Sequence, residues 1–345
     1  MSITMNREYT LSLLQQLLAT PSPTGYTHHL LATLHEEALR LGVQADYNHK
    51  GGLILTLAGQ DDSRTIALSG HVDTLGAMVR AVKPDGKIRM TMVGGFTMNS
   101  IENEYCIIHT RSGKMYTGTI LSTEPSVHVY DHAETLKRTE NHMEVRIDEV
   151  VASKEDVDAL GIAVGDYISF DARPVMTDSG YIKSRHLDDK ASVAAMFGLL
   201  ESAHTHQWKP RHTVKLLISN YEEVGHGTAY IPGDIDEMIA VDMGCIGDDL
   251  SCKETDVSIC VKDSSGPYDY EMTGKLAELA RREQIPFALD VYPHYGSDAS
   301  AALRGGNNIR AALIGPGVHA SHSMERTHSD AVINTARLLA AYITE

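Results

Sequence analysis

Short apolar runs alternate with helical stripes along most of the chain. Runs rich in aliphatic and β-branched residues are typical of buried strands, and they cover 52–57, 65–68, 214–218, 238–241, 257–261, 287–291 and 309–314. Apolar residues at helical spacing predict helices over 11–18, 28–41, 271–283, 298–303 and 330–343. Because strands that alternate with helices favour parallel pairing, we predict an α/β fold whose mostly parallel sheet is flanked by helices.

Residues 75–176 have a different pattern. Short alternating strands are joined by glycine-containing turns, as in KPDGKIRM and GIAVGDYISF, and only 154–160 favours a helix. Such a run inside an α/β frame predicts an inserted all-β domain. We therefore expect an α/β domain built from 1–74 and 177–345, interrupted by a β-rich domain over 75–176.

Charge and composition narrow the class of protein. The 345 residues include 46 acidic and 30 basic side chains, for a formal charge of −16, which argues against a nucleic-acid or anionic-membrane partner. The start of the chain lacks a signal-peptide pattern, and no run of eighteen apolar residues occurs, so we expect a soluble cytoplasmic protein. The four cysteines form no CxxC pair and are interpreted as reduced thiols that bind no metal.

Two adjacent acids, Glu222 and Glu223, follow the apolar run 214–218. An isolated pair of this kind is most often a solvated surface feature. Just past the end of a buried strand, however, both side chains can face one cleft. One carboxylate can then hold a cation while its neighbour moves protons for the water that the cation activates.

Other acids and histidines follow predicted strands in the same way. His71 and Asp73 lie on one side of an extended chain, so the imidazole can bind a metal while the carboxylate orients the ring. Asp188 and its neighbour precede a strong helix, where N-capping is an alternative explanation for the pair. Asp242 ends a third apolar run.

The segment GPGVHASHSMERTHSDAV adds His319, His322 and His328, and the residue types alone leave open which of them is a ligand. With His71, Asp188, Glu223 and Asp242, one late histidine completes a set of two imidazoles and three carboxylates. A catalytic site for a single zinc needs only three protein ligands. The larger set favours two divalent ions, such as zinc, cobalt or manganese.

The segments HVDTLG, LDDKAS, EEVG, VDMG and HSMERTH, in this order, resemble those of metallopeptidase family 42, the tetrahedral, glutamyl and deblocking aminopeptidases. The resemblance covers nearly the whole chain. It implies a zinc-peptidase-like α/β fold with an inserted dimerisation domain and a pair of metals, with zinc or cobalt favoured and manganese as a further choice. It also implies a homo-oligomer in which dimers assemble into a tetrahedral dodecamer.

The resemblance also assigns roles to residues of this chain. His71 and Asp242 would be terminal ligands and Asp188 the bridge, followed by a peptide bond that is usually cis in the family. Glu223 and His322 would be ligands, and Glu222 the general base. His322 matches because a serine follows it directly and Glu325 follows it by three positions, but the neighbouring sequence departs from the family and leaves His319 as a rival. The stretch YGSDA also departs, so substrate preference is not carried over.

The predicted activity is metal-dependent hydrolysis of the N-terminal residue of short peptides. One alternative keeps the two metals but acts on N-acyl amino acids or capped dipeptides. A glycosidase with two carboxylates is a less favoured alternative because it leaves the histidines without a role. A metal-free scaffold is disfavoured because every expected ligand type is present.

Overall fold

The computed structural model describes residues 3–345. The first part of the chain forms two helices and three strands: α1 (Arg7–Ala19), α2 (His28–Arg40), β1 (Gln44–Tyr47), β2 (Leu53–Leu57) and β3 (Asp61–His71). Asn6 caps α1, since its side chain accepts a hydrogen bond from the Tyr9 amide at 3.1 Å.

A run of strands and one helix follows: β4 (Gly76–Val82), β5 (Ile88–Val93), β6 (Tyr105–His109), β7 (Met115–Ser122), β8 (Met143–Ile147), α3 (Lys154–Leu160) and β9 (Tyr167–Phe170). The strands close into a barrel in the order β4-β5-β8-β7-β6-β9. The barrel has its own apolar core, which includes Ile88, Met90 and Ile168. The helix predicted over 154–160 is confirmed as α3, which begins with a capping box at Ser153.

The remainder of the chain returns to mixed helices and strands. Its elements are β10 (Val175–Met176), β11 (Tyr181–Ser184), α4 (Leu187–His206), β12 (His212–Ser219), β13 (Glu237–Val241), β14 (Gly244–Cys245), β15 (Val257–Asp263), β16 (Gly266–Pro267), α5 (Tyr270–Arg282), β17 (Phe287–Val291), α6 (Asp298–Arg304), β18 (Arg310–Val318), β19 (Glu325–His328) and α7 (Ser329–Thr344).

The main sheet has the order β1-β2-β12-β3-β13-β18-β15-β16. Its centre is parallel, because β12 and β13 flank β3 and β18 pairs with β13 in the same direction. Strands β2 and β15 join this centre in antiparallel pairs. The predicted α/β class, with a mostly parallel sheet, is confirmed.

Helices cover both faces of the sheet. On one face α1, α4 and α7 share a large core with the strands, in which Leu14, Phe197 and Leu339 are fully buried. On the other face, alternate residues of the same strands, such as Ala67 and Met238, contact α6 through Ala302. Because both faces of the sheet are covered by helices, polar groups that bind a ligand are expected at the carboxyl ends of the strands.

The predicted strands at 214–218, 238–241 and 287–291 are confirmed as β12, β13 and β17, and every helix expected from apolar spacing is present. The prediction missed short strands such as β1, β14 and β19, whose two to four residues carry little periodicity. Residues 175–176 pair with β11 outside the barrel, and the division into domains at 75–176 stays a prediction. Within residues 3–345, no helix combines the length and hydropathy that crossing a bilayer requires.

Candidate metal centre

Three neighbouring parallel strands bring the predicted side chains to one edge of the sheet. Strand β3 ends at His71, β12 leads into a short 3-10 helix that starts at Glu222, and β13 stops just before Asp242. Since β12 and β13 lie on either side of β3, their carboxyl ends meet. The acids and histidine that follow the apolar runs in the sequence therefore lie together at the carboxyl ends of these three strands.

Asp188 enters this edge from the start of α4. It is buried, and it and Asp189 have non-helical backbone angles and are joined by a cis peptide bond, as the family resemblance implied. Its Oδ1 lies 3.2 Å from Nε2 of His71, and its Oδ2 lies 3.3 Å from Nε2 of His322. Each oxygen of Asp188 thus faces a different imidazole, which is the placement a bridging carboxylate needs.

Two groups of potential ligand atoms are formed among the described residues. The first joins His71, Asp188 and Glu223, the second joins His71, Asp189 and Asp242, and within each group the atoms lie within 4.8 Å of one another. His322 lies beside the first group, with Nε2 3.5 Å from Oε2 of Glu223. The buried Oδ1 of Asp189 has no hydrogen-bond partner within residues 3–345. These imidazole and carboxylate donors fit divalent zinc, cobalt or manganese.

Main-chain carbonyls orient both imidazole rings. Nδ1 of His71 lies 2.9 Å from the carbonyl oxygen of Asp73, and Nδ1 of His322 contacts the carbonyl oxygen of Gly95. A proton on Nδ1 in each ring leaves the lone pair of Nε2 directed at Asp188. Both histidines therefore present Nε2 to the same carboxylate.

Asp73 lies beside the His71 ring and also contacts the turn that carries the two glutamates. Its Oδ1 lies 3.6 Å from Nδ1 of His71 and accepts a hydrogen bond from the amide of Glu222 at 3.1 Å, and its Oδ2 accepts one from the amide of Glu223 at 3.2 Å. The Thr24 hydroxyl also donates to it, at 2.8 Å. Asp73 thus fixes the turn that carries the two glutamates, while its carbonyl oxygen orients the ring.

Glu222 belongs to neither group of potential ligand atoms. Its Oε2 lies 3.6 Å from Nε2 of His71, and the side chain lines the cavity beside the centre. Burial, with the nearby carboxylates of Asp242 and Asp298, raises the pKa of Glu222 well above its usual value. A carboxylate that lies outside both groups of potential ligand atoms and close to the centre is placed to accept a proton there.

Crowded carboxylates dominate the electrostatics of the centre. Burial and the Asp188 carboxylate raise the pKa of Asp242 to about 7, and the same two causes raise that of Glu223 well above its usual value. Burial acts to raise the pKa of Asp188 too, but contacts with His322 and His71 hold it well below the usual range. Burial acts to lower the pKa of His322, but Asp188 and Glu223 raise it to about 10. Divalent cations would compensate this concentration of negative charge.

The sequence analysis assigns no role at the centre to two buried acids, Asp189 and Glu325. Asp189 appears there only as the neighbour of Asp188. Both residues lie at the start of α4, shortly after the end of β11. Glu325 accepts hydrogen bonds from the amides of Asp188 at 3.0 Å and His322 at 3.1 Å, and thereby fixes two potential ligands. The sequence feature that could have indicated this role is the glutamate of the HSMERTH segment, which is Glu325. His319 forms main-chain hydrogen bonds with Arg326 and belongs to neither group of potential ligands.

A cavity of about 500 Å³ opens beside the centre. Its lining combines charged and apolar side chains and draws on the start of α4, the 3-10 helix, the residues after β13 and the segment before α6. The lining residues are Asp188, Glu222, Glu223, Gly225, Asp242, Met243, Cys245, His294, Tyr295, Gly296, Ser297, Arg304, Ser321 and His322. A cleft of this volume is within the range of small-molecule and peptide sites.

An α/β fold with imidazole and carboxylate donors at adjoining strand ends is the arrangement of a metal-dependent hydrolase. The family model described as M42 glutamyl aminopeptidase matches residues 51–338, and the chain belongs to this family of metallopeptidases. Membership makes the chain a peptide-bond hydrolase and implies divalent metal ions. The resemblance drawn from the sequence segments is confirmed.

Relatives and solved structures agree with this assignment. The chain is 50% identical over 335 residues to YhfE of Bacillus subtilis, whose aminopeptidase name is itself provisional, and the match covers 97% of each protein. It is 20% identical to the lysyl aminopeptidase of Pyrococcus furiosus, over 96% of both.

Two solved structures share the fold over nearly the full length. Aminopeptidase APDkam598 from Desulfurococcus kamchatkensis has a TM-score of 0.89 at 22% identity, covering 98% of this chain and 95% of that one. The TET1 peptidase of Pyrococcus horikoshii has a TM-score of 0.85 at 22% identity, covering 97% and 99%. At these identities the likeness establishes the fold.

Proposed function

We propose that the chain is a two-metal aminopeptidase that removes N-terminal residues from short peptides. The observation that carries the proposal is the position of Asp188 between two imidazoles, with one oxygen toward His71 and the other toward His322. A bridging carboxylate with separate ligands on each side serves two cations rather than one. Zinc or cobalt fits this mixture of nitrogen and oxygen donors best, and manganese is an alternative.

In this proposal Asp188 would contribute to both metal sites. His71 and Asp242 would hold one cation, and Glu223 and His322 would hold the other. Support comes from the 3.5 Å separation of the Glu223 and His322 donor atoms and from the shared group of His71 and Asp242. The buried oxygen of Asp189 that lacks a partner within residues 3–345 adjoins the first cation's ligands.

The bound cations would supply a Lewis acid for the scissile carbonyl and would lower the pKa of a water molecule to roughly 7. Glu222 accepts the proton from the attacking water and delivers it to the leaving amine. Asp73 holds Glu222 in place through the main-chain amide of that residue. We place the free amine of the substrate against the acidic side of the cavity, which limits cleavage to the first residue.

Glu222→Gln tests the general-base role. The substitution keeps the size of the side chain but removes its basicity, so we expect kcat to fall by about 10³-fold. Metal content, measured by elemental analysis of the purified protein, should stay at two ions per chain because Glu222 belongs to neither ligand group. Glu278→Gln, on the exposed face of α5, is the matched control and should keep full activity. Full activity of Glu222→Gln would remove this residue from the role.

A substrate panel separates aminopeptidase from deblocking activity. Peptides with a free amine and the same peptides carrying an N-acetyl group are compared at equal concentration. We expect hydrolysis of the free-amine set, and a preference for the acetylated set would assign the enzyme to the alternative deacylase class. Loss of either activity on chelation, with recovery on adding zinc or cobalt, would exclude the metal-independent glycosidase alternative.

The barrel is proposed to mediate dimerisation, and the dimers to assemble further into a dodecamer. The TET1 peptidase of Pyrococcus horikoshii can assemble into a tetrahedron or a large octahedral shell. In this chain the barrel exposes apolar side chains, with Tyr105 and Met115 each 66% exposed at opposite ends of the β6–β7 hairpin. Light scattering coupled to size-exclusion chromatography measures the assembly, and a monomer at micromolar concentration would contradict it.

A further inference from the structure

A second cavity, which we call the barrel cavity, lies between the barrel and helices α1 and α4. Its volume is about 590 Å³, and it shares no lining residue with the cavity beside the metal centre. The lining residues are Leu18, Ala19, Thr20, Pro21, Ser22, Thr74, Tyr105, Cys106, Ile107, Thr117, Gly118, Asp148, Ser169, Phe170, Asp171, Ala172, Pro174, His186 and Lys190. A cavity of this size, mostly apolar and with a few polar groups, is typical of a small-molecule site.

Lys190 places a buried amine in the lining of the barrel cavity. The residue is 1% exposed, and its Nζ donates to the main-chain carbonyl oxygens of Leu17 and Thr20, both at 2.8 Å. Burial lowers the pKa of Lys190 to about 7, and no carboxylate within residues 3–345 offsets this shift. A lysine ammonium has three N–H donors, so one stays available to a ligand in the cavity.

The acids that precede Lys190 in the chain are directed to the metal centre. Asp188 lies between the imidazoles of His71 and His322. Asp189 accepts a hydrogen bond from the main-chain amide of His71 at 3.1 Å and belongs to a group of potential metal ligands. Their carboxylates therefore face away from Lys190, and an anionic ligand is the partner that its buried charge lacks.

Two further carboxylates lie on the barrel side of the cavity. Asp171 follows β9, where its amide donates to the Tyr105 carbonyl oxygen at 3.0 Å, and Asp148 follows β8, where its amide donates to that of Thr117 at 2.9 Å. Both aspartates are exposed, whereas Lys190 is buried. The cavity thus has a cationic group inside and anionic groups toward solvent. A molecule with a carboxylate at one end and an ammonium nearby complements this distribution of charge.

Apolar side chains from both walls supply the remaining contacts. Leu18 comes from α1, and Ile107 and Phe170 come from strands of the barrel. Cys106 and Ile108 belong to the barrel's own core, so Ile107, between them in β6, points to the outer face. An aliphatic group bound in the cavity would remove these apolar surfaces from water, which favours binding.

We propose that the barrel cavity binds a small molecule with an aliphatic body and a carboxylate, and that Lys190 receives the carboxylate. Two sources supply this chemistry. A free aliphatic α-amino acid such as leucine is the source that Asp148 and Asp171 favour, because they attract its ammonium group. An aliphatic carboxylic acid offers the same carboxylate without the ammonium. The site is separate from the metal centre, so binding there does not require the proposed activity, although an aminopeptidase would release such amino acids.

Equilibrium dialysis of radiolabelled L-leucine against the metal-loaded enzyme counts the leucine molecules bound per chain. Leucine can also bind at the metal centre, so the measurement compares variants. Ile107→Trp fills the barrel cavity and should bind one leucine per chain fewer than the wild type, with unchanged metal content. Val164→Trp is the matched control, because Val164 is an exposed barrel residue outside the lining, and it should keep the wild-type count.

Lys190→Met removes the amine and should weaken leucine binding in the barrel cavity by about 10-fold or more. The same substitution leaves the carbonyl oxygens of Leu17 and Thr20 without their donor and lowers stability. Leucine analogues therefore test the same contact in the wild-type protein, by competition with labelled leucine.

Isoamylamine, which lacks the carboxylate, should compete at least about 10-fold more weakly than leucine. Isocaproate lacks the ammonium, which meets only exposed aspartates, and it should compete a few-fold more weakly. Isocaproate that competes better than leucine would identify an aliphatic carboxylic acid as the source of the carboxylate.

Two outcomes would overturn the proposal. The leucine count could be the same in the wild type and in Ile107→Trp, or isoamylamine could compete as well as leucine. Either result leaves the proposed aminopeptidase function standing, because that function is tested separately at the metal centre by Glu222→Gln.

Discussion

Replacement of Asp73 by asparagine tests how the glutamate turn is held. The carboxylate accepts two main-chain hydrogen bonds, from Glu222 at 3.1 Å and Glu223 at 3.2 Å, and one from the Thr24 hydroxyl. An asparagine side chain has one acceptor oxygen, so its amide group faces a main-chain N–H that is left unpaired. Each charge-assisted bond contributes about 1.5 to 3 kcal/mol, and we expect the variant to be about 3 kcal/mol less stable.

The loss should also appear in catalysis. A displacement of Glu222 by about 1 Å costs on the order of 100-fold in rate, so kcat/KM should fall by about that factor. The His71 ring keeps its orientation in the variant because the carbonyl oxygen of Asp73, not the carboxylate, contacts Nδ1. Elemental analysis should therefore still find a metal held by His71.

Urea unfolding and steady-state kinetics provide the two measurements. Asp61→Asn is the control, because Asp61 accepts a hydrogen bond from the Ser63 amide at the exposed start of β3, and its loss should matter little. If the Asp73→Asn variant unfolds at the same urea concentration as the wild type and retains its turnover, the anchoring role is refuted. If the variant instead loses metal but shows wild-type kinetics once metal is added back, the result would support the role predicted from the sequence, in which the Asp73 carboxylate orients the His71 ring.

Two further predictions concern buried groups outside the metal ligands. His109 is 4% exposed, its Nε2 lies 2.7 Å from Ser169 Oγ, and burial lowers its pKa to about 4. The unfolded chain binds a proton at this histidine below about pH 6.5, whereas the folded chain does so only near pH 4. The free energy of unfolding should therefore decrease by roughly 2 kcal/mol between about pH 7.5 and about pH 5. Urea unfolding of His109→Gln should show a pH dependence that is smaller by this amount. Asp298→Ala leaves the hydroxyls of Ser69 and Ser219 without an acceptor, so we expect a loss of about 3 to 5 kcal/mol by the same assay, and a loss under about 1 kcal/mol would contradict this.

The sheet and the strand ends that carry the predicted ligands were predictable because both are local in the chain. An apolar run followed by an acid marks the end of a strand, and parallel strands bring such ends together without any further information. His71, Asp242 and the glutamate pair were found in this way. The choice of His322 over His319 came from the family pattern, since the two lie three positions apart in one loop with similar chemistry.

The contacts that orient the ligands were not predictable in the same way. Asp73 and Glu222 are 149 positions apart, and Glu325 and Asp188 are 137 positions apart. Each contact joins a carboxylate to a main-chain amide. Because every residue except proline has a main-chain N–H, the residue type does not indicate which amide will be the partner. Apolar periodicity reports which face is buried, and it carries no information about which amide an internal acid will meet.

Residues of the predicted insertion contact the candidate metal centre. The carbonyl oxygen of Gly95, which follows β5, contacts Nδ1 of His322 and directs the opposite nitrogen to Asp188. The Arg185 guanidinium donates to the carbonyl oxygen of Ser100 in the same segment and to that of Ser323, beside His322, at 3.2 Å. A histidine on an irregular loop has few contacts of its own to fix its ring. Because the loop is tied to the barrel at these points, a shift of the barrel would turn the imidazole away from Asp188, which couples the geometry of the centre to the position of the insertion.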